Sequence, residues 1–128
     1  LAVTESDLSA SVVFLNNDFS DKKTQEKILK IFNDKIDIIV SDMAENTTGN
    51  KTVDSIRTNS LCSDVIIFSL KMLTNKGSLV CKLFMGEDFL EVKNLAKKKF
   101  QKVDFFKPES SRSESKETYI VCSLLKAL

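Results

Sequence analysis

Apolar residues along the chain follow two periodicities in turn. Five short runs are rich in β-branched and aromatic residues, as is typical of strands, and they cover residues 11–16, 36–40, 78–85, 103–106 and 118–124. Three other segments carry apolar residues at helical spacing, at residues 22–33, 53–73 and 87–100. Because strands and helices alternate, the sequence predicts an α/β fold with a mainly parallel sheet.

The ends of these segments refine the prediction. The long middle helix has one apolar stripe and is expected to end in a turn at residues 74–77, before the next strand. The stripe consists of Val53, Ile56, Leu61, Val65, Phe68 and Met72. The last two strands are joined by a polar loop without a crossover helix, so we expect them to pair antiparallel.

Composition narrows the functional classes. The chain has 128 residues, of which 42% are hydrophobic and 29% charged, and this fits a single globular domain. The formal net charge is only +1, although basic residues outnumber acidic ones between residues 93 and 116, which allows a basic surface there. The absence of histidine excludes Ser-His and Cys-His catalytic pairs and histidine-ligated metals.

The cysteines and the apolar runs bear on location. Cys62, Cys81 and Cys122 are far apart in apolar surroundings, so we predict that they are reduced core thiols of a cytoplasmic protein. No apolar run reaches the roughly 18 residues that a membrane span requires. The chain also shows no signal-peptide pattern, and the sequence therefore predicts no membrane partner.

Three ionisable residues are expected at one edge of the sheet. In open α/β sheets, sites form beyond the carboxyl ends of the parallel strands, and Asp42 directly follows one such strand. Lys82 lies near the carboxyl end of a neighbouring strand, and Glu117 begins the antiparallel final strand, which starts at the same edge. Each residue also has an ordinary interpretation. Asp42 could be a turn residue, Lys82 a charge that protects an edge strand from aggregation, and Glu117 a solvated loop residue.

Three ordered motifs carry a resemblance to a known family. The segments SDMAENTTGN, GSLVCKLFMGEDF and KPESSRSESKETYIV begin at Ser41, Gly77 and Lys107. They resemble the FtsJ/RrmJ-like family of ribosomal RNA large-subunit ribose 2′-O-methyltransferases. The combination of residues 47–49 (TTG) with residues 54–58 (DSIRT) is most similar to the alphaproteobacterial branch.

The resemblance implies a fold and a reaction. It implies a Rossmann-like class I methyltransferase fold dependent on S-adenosyl-L-methionine, in which residues 1–128 form the C-terminal two-thirds of one domain without its first two strands. The implied reaction methylates a ribose 2′-hydroxyl of large-subunit ribosomal RNA. The resemblance favours a uridine of 23S RNA as the methylated nucleotide. The resemblance further implies that the reaction needs no metal, that the partner is ribosomal RNA or the large ribosomal subunit, and that the enzyme acts as a monomer.

The resemblance also assigns roles to residues. Asp42, Lys82 and Glu117 match three members of the family's catalytic Lys-Asp-Lys-Glu tetrad. Asp18 and Phe19, together with Asp42, are implied to bind the donor, with Asp18 accepting from the adenine amino group and Phe19 against the ring. The alternative is that Asp18 caps a turn and Phe19 belongs to the core. The residues implied to contact the RNA are Arg112, Lys116 and Tyr119.

Several alternatives stay open. Lys82 could act as a base if its pKa fell, or it could stabilise a developing alkoxide while charged. The acceptor could be transfer RNA or a messenger cap, or the chain could be an inert RNA-binding fragment without a donor site, since no Gly-rich loop occurs in it. In the family's strand order, 3-2-1-4-5-7-6, strands 1 and 2 lie between residues 12–15 and residues 36–40. We therefore expect an exposed apolar edge at residues 36–40 and weak anchoring of residues 1–32.

Overall fold

A computed structural model describes residues 12–32, 34–43, 49–86, 88–108 and 117–127. Three helices occur in this part of the chain: α1 (Lys22–Ile31), α2 (Lys51–Met72) and α3 (Phe89–Lys99). Four strands accompany them: β1 (Ile36–Ser41), β2 (Leu73–Phe84), β3 (Phe100–Phe106) and β4 (Glu117–Leu125). The predicted alternation of strand and helix is thus confirmed from α1 onward.

The strands form one sheet in the order β1-β2-β4-β3. β1 runs parallel to β2, whereas β4 is antiparallel to both β2 and β3. β1, β2 and β3 therefore share one direction and only β4 opposes them. The predicted α/β class with an antiparallel final strand is confirmed, and the order equals the 4-5-7-6 part of the family's sheet.

α2 and α3 cover one face of this sheet. The core combines alternate residues of β2 and β4 with the inner faces of both helices, and it includes the three cysteines as free, buried thiols, as predicted. Its members with the lowest exposure are Cys62, Ile66, Leu79, Leu83, Ala96, Ile120 and Cys122. Because strand side chains alternate, the other residues of β2 and β4 point to the opposite face of the sheet.

The structure corrects two details around α2. Ile56 is 45% exposed, whereas the helix buries the polar Thr58 and Asn59, so the inner stripe differs from the predicted one at its N-terminal end. No turn separates α2 from the next strand, since β2 begins at Leu73, which pairs with Ile36 before the register shifts. Gly77 permits this irregular pairing: a Cβ there would lie 3.1 Å from the Asp37 carbonyl oxygen.

The predicted strand at residues 11–16 is wrong for the residues that the structure describes, since residues 12–16 form no strand and do not pair with Ile38. A strand requires a ladder partner, and Val12 and Val13 are instead exposed. β1 is an edge strand of the described sheet, and Ile38 and Val40 are 59% and 68% exposed, as predicted for this edge. Residues 1–11 of the segment expected to be weakly anchored lie outside the described residues.

Among the described residues, no helix is both long enough and apolar enough to cross a bilayer.

Candidate active site

Asp42, Lys82 and Glu117 converge at the carboxyl end of β1 and β2. The Lys82 Nζ lies 2.9 Å from Asp42 Oδ1 and 3.6 Å from Glu117 Oε2. Asp42 comes directly after β1, Lys82 lies two residues before the end of β2, and Glu117 opens β4. The topology therefore brings together the three residues that the sequence placed at this edge, whereas their catalytic roles stay a prediction.

Tyr119 belongs to the same cluster. Its hydroxyl donates a 2.8 Å hydrogen bond to Asp42 Oδ1, the oxygen that also faces Lys82. Tyr119 stands directly opposite Lys82 in the antiparallel pairing of β2 with β4, so both side chains lie on one face of the sheet. The Asp42 carboxylate is thus held by two donors from two adjacent strands.

Exposure differs strongly within the cluster. The side chain of Lys82 is 14% exposed, that of Glu117 25% and that of Asp42 65%. The ammonium is therefore recessed in the sheet, and the carboxylate that faces it is open to solvent. A hydroxyl that approaches Lys82 would come in beside Asp42, at the accessible side of the cluster.

The electrostatics keep Lys82 charged. Burial pulls the pKa of Lys82 down, but the hydrogen bond with Asp42 and the negative charges of Glu117 and Asp42 together outweigh it and raise that pKa above its ordinary value. The hydrogen bond with Lys82 in turn lowers the pKa of Asp42, against the opposing effect of burial. Burial, followed by the bond to Asp42, raises the pKa of Tyr119 to about 12. At neutral pH, Asp42 is an anion, Lys82 a cation and Tyr119 a neutral donor.

A buried amide secures the end of β2. Asn59 in α2 is fully buried, and its Nδ2 donates to the Phe84 carbonyl at 2.9 Å and to Asp88 Oδ1 at 2.8 Å. The Phe84 backbone N–H donates back to Asn59 Oδ1 at 2.8 Å. Since Phe84 pairs with Glu117 and follows Lys82 by two residues, Asn59 supports the strand end that carries the cluster. Apolar periodicity gives no signal for Asn59, because Ile56, three residues before it, is 45% exposed while Asn59 is buried.

The junction between β3 and β4 is tied by two further contacts. The Lys107 Nζ donates to the Glu117 carbonyl at 3.0 Å, and the Thr118 hydroxyl donates to the Phe106 carbonyl at 3.0 Å. These bonds hold the start of β4, and with it Glu117, against β3. Arg112 and Lys116, which the resemblance implies as RNA contacts, lie outside the described residues.

The residues implied to bind the donor lie just before α1. Asp18 Oδ1 accepts from the Ser20 hydroxyl at 2.7 Å and from the Ser20 backbone N–H at 2.9 Å, and these bonds lower the pKa of the fully exposed Asp18 carboxyl. The Phe19 ring packs edge-on against Phe68 of α2, with ring centroids 5.2 Å apart. Both observations agree with the alternative of a turn residue and a core residue. The donor-binding role of Asp18 and Phe19 stays a prediction.

The chain is similar to one known family and to named proteins. The model of the FtsJ-like methyltransferase family matches residues 2–124. A protein named ribosomal RNA large subunit methyltransferase E from Pelagibacter ubique is 46% identical over 116 residues, which are 91% of this chain and 57% of that protein. A protein of the same name from Rickettsia akari is 46% identical over 110 residues, 86% of this chain and 48% of that protein.

A solved structure is similar as well. The crystal structure of a ribosomal RNA methyltransferase from Plasmodium falciparum superposes with a TM-score of 0.67 at 29% identity, covering 85% of this chain and 57% of that one. The chain spans about half the length of the curated relatives that it matches, 57% and 48% of the two named above.

Proposed function

Because the chain belongs to the FtsJ-like methyltransferase family, we propose that it is part of a methyltransferase domain that methylates a ribose 2′-hydroxyl of large-subunit ribosomal RNA. One observation carries the proposal most directly. A recessed lysine, Lys82, lies within 2.9 Å of Asp42 and 3.6 Å of Glu117, at the edge where an open α/β sheet forms its sites. The named relatives are ribosomal RNA methyltransferases, which supports the choice of ribosomal RNA as the acceptor.

The arrangement suits the chemistry of a ribose hydroxyl. A 2′-hydroxyl is too weak an acid to ionise at neutral pH, so the oxygen that attacks a methyl group must be stabilised as negative charge develops on it. The pKa of Lys82 is raised, which favours the charged role of this lysine over the role of a neutral base. The hydroxyl proton, which becomes acidic as the bond to the methyl carbon forms, would then leave to water at the exposed side of Asp42. Asp42 and Glu117 hold the ammonium in place, and Tyr119 holds Asp42.

S-adenosyl-L-methionine is the donor that this proposal requires, and when bound it supplies an activated methyl group. The described residues fit such a group in two respects. Asp18 is fully exposed, and both bonds from Ser20 go to its Oδ1. Among the described residues nothing bonds its second oxygen, which is therefore available to the adenine amino group of the donor. The Asp42 carboxylate is 65% exposed beside Lys82 and could face the methionine end.

A methyl-transfer assay tests the proposal. The chain is incubated with donor carrying a radioactive methyl group and with unmodified large-subunit ribosomal RNA, free or in ribosomal particles, and the RNA is then hydrolysed with alkali. A 2′-O-methyl group blocks cleavage of the adjacent phosphodiester, so we expect the label in alkali-resistant dinucleotides. Label in bases, or only in transfer RNA or capped RNA offered in parallel, would contradict the proposed acceptor.

Two variants tie the activity to the cluster. Lys82→Met keeps an apolar stem of similar length and removes the charge, and we expect it to lower the rate by about 100-fold or more, the usual cost of losing a preorganised electrostatic group. Lys71→Met, on the exposed surface of α2, is the matched control and should retain the rate. Equal rates for the two variants would remove Lys82 from the mechanism.

A further inference from the structure

The strand register aligns three side chains in a row across the sheet. Lys82 of β2 and Phe106 of β3 both stand directly opposite Tyr119 of β4. Directly opposed residues of antiparallel strands project to the same face, with neighbouring strands about 4.8 Å apart. Phe106 therefore lies on the face that carries Lys82, about 10 Å away from it across Tyr119.

The Phe106 side chain is not part of the core. It is 61% exposed, although a phenylalanine is normally among the most buried residues. Its neighbour Phe105 points to the opposite face, where it stands across from the buried Ile120 and contacts Phe89 of α3 with ring centroids 5.0 Å apart. Phe105, although 37% exposed, thus has a packing partner in α3, whereas Phe106 has no ring contact among the described residues.

The surroundings of Phe106 restrict what could cover it. The row continues into Tyr119, whose hydroxyl is bonded to Asp42, and into the ion pair of Lys82 with Asp42. An apolar protein surface that covered the whole row would have to desolvate these charges, which is costly. A nucleotide suits both the aromatic end and the charged end of the row. Its base has a flat face that can stack on an aromatic ring, and its ribose and phosphate are polar.

We propose that Phe106, together with Tyr119, forms a stacking platform for an unpaired base of the RNA substrate, next to the nucleotide whose ribose reaches Lys82. The inference rests on the proposed function for the identity of the ligand. It adds a binding residue, Phe106, that lies outside the Asp42, Lys82 and Glu117 cluster. Because stacking accepts the flat face of any base, the platform holds the strand without reading its sequence.

The chain offers a direct probe, since it contains no tryptophan. A Phe106→Trp variant therefore carries a single indole on the platform, and a stacked base quenches indole fluorescence. We expect saturable quenching by a single-stranded oligouridylate and much weaker quenching by the same RNA annealed to its complement. Phe105→Trp is the matched control: it places the indole one residue away on the opposite face, and its fluorescence should stay unchanged.

Affinity measurements complete the test. Phe106→Ala should bind the single-stranded RNA about tenfold more weakly than the unmodified chain, whereas Phe106→Tyr, which keeps an aromatic ring, should bind it normally. Urea unfolding of all variants checks that the exposed position tolerates the change. Equal quenching at positions 105 and 106, or an undiminished affinity of Phe106→Ala, would overturn the platform. Quenching and weakened Phe106→Ala binding without methyl transfer by the unmodified chain would instead count against the proposed function and support the platform.

Discussion

Asn59 and Phe84 exchange two hydrogen bonds, one from the side-chain amide to the backbone carbonyl at 2.9 Å and one from the backbone N–H to the side-chain oxygen at 2.8 Å. The asparagine amide thus imitates one more strand residue at the point where β2 ends. Without it, the part-buried N–H and carbonyl of Phe84 would need other partners. A helix side chain thereby sets the position of the strand end that carries Lys82 and faces Glu117.

Replacing Asn59 should destabilise the chain markedly. Asn59→Ala leaves the Phe84 N–H and carbonyl without this partner, and each unsatisfied buried group costs about 1–3 kcal/mol, so we expect a loss of about 2–4 kcal/mol in the free energy of unfolding. Urea denaturation followed by circular dichroism measures it. Asn94→Ala, the same change on the exposed face of α3, is the control and should stay within about 0.5 kcal/mol.

An isosteric variant separates the lost bonds from lost volume. Asn59→Asp retains the shape but replaces the donating amide by a carboxylate that faces the Phe84 carbonyl and Asp88. We expect it to be destabilised at neutral pH and to regain part of the loss as the pH falls, because a protonated carboxyl can again donate. A deficit that does not change with pH would show that the bonds at this position are not the cause.

The convergence of Asp42, Lys82 and Glu117 could be predicted because it depends only on strand direction and on where each residue stands along its strand. Asn59 and Phe106 could not be predicted in the same way. Their roles depend on which helix face turns inward and on the register of β3 against β4, and neither follows from apolar periodicity alone. The start of β2 at Leu73 was not predicted for a related reason. In the sequence, Gly77 indicates the end of a helix, whereas in the structure it allows the backbone of β2 to lie close to Asp37.

Tyr119 gives a pH-dependent signal of its own, because it is the one tyrosine in the sequence. Burial and the bond to Asp42 raise its pKa to about 12, above the value of about 10 of an exposed tyrosine. Since the folded state holds the phenol proton more tightly than the unfolded state, this contribution to stability is complete below about pH 10 and is lost as the pH rises toward 12.

Ultraviolet titration of the phenolate measures this directly. We expect a midpoint near 12 in the folded chain and a lower one in Asp42→Asn, which removes the negative charge beside the hydroxyl. Circular dichroism at each pH verifies that the chain is still folded. A midpoint near 10 in a folded chain would mean that neither the burial of Tyr119 nor its bond to Asp42 exists in solution.

The buried thiols predict slow chemical modification. Cys62, Cys81 and Cys122 are at most 2% exposed, so a reagent reaches none of them readily. Burial raises the pKa of Cys122 to about 12, whereas the hydrogen bond with Cys62 lowers the pKa of Cys81, so for Cys81 the protection comes from burial alone. A thiol reagent should modify the native chain slowly and all three cysteines quickly in denaturant. Gln101→Cys places a thiol at an exposed position of β3 and should react at once. Rapid native labelling of a core cysteine would show that the packing of α2 on the sheet opens readily.

Asp18 offers the sharpest test of donor binding, because a second aspartate nearby serves as its control. Asp21 caps α1 by accepting from the Lys23 backbone N–H, so Asp21→Ala should cost roughly 1 kcal/mol of stability and leave donor binding unchanged. If Asp18 binds the adenine amino group, Asp18→Ala should abolish saturable binding of S-adenosyl-L-methionine in calorimetry. If Asp18 acts only in the turn with Ser20, both variants should bind the donor equally and differ only in stability. The two variants thus distinguish a ligand contact of Asp18 from a local structural role. The position of Asp18 before α1 is compatible with both.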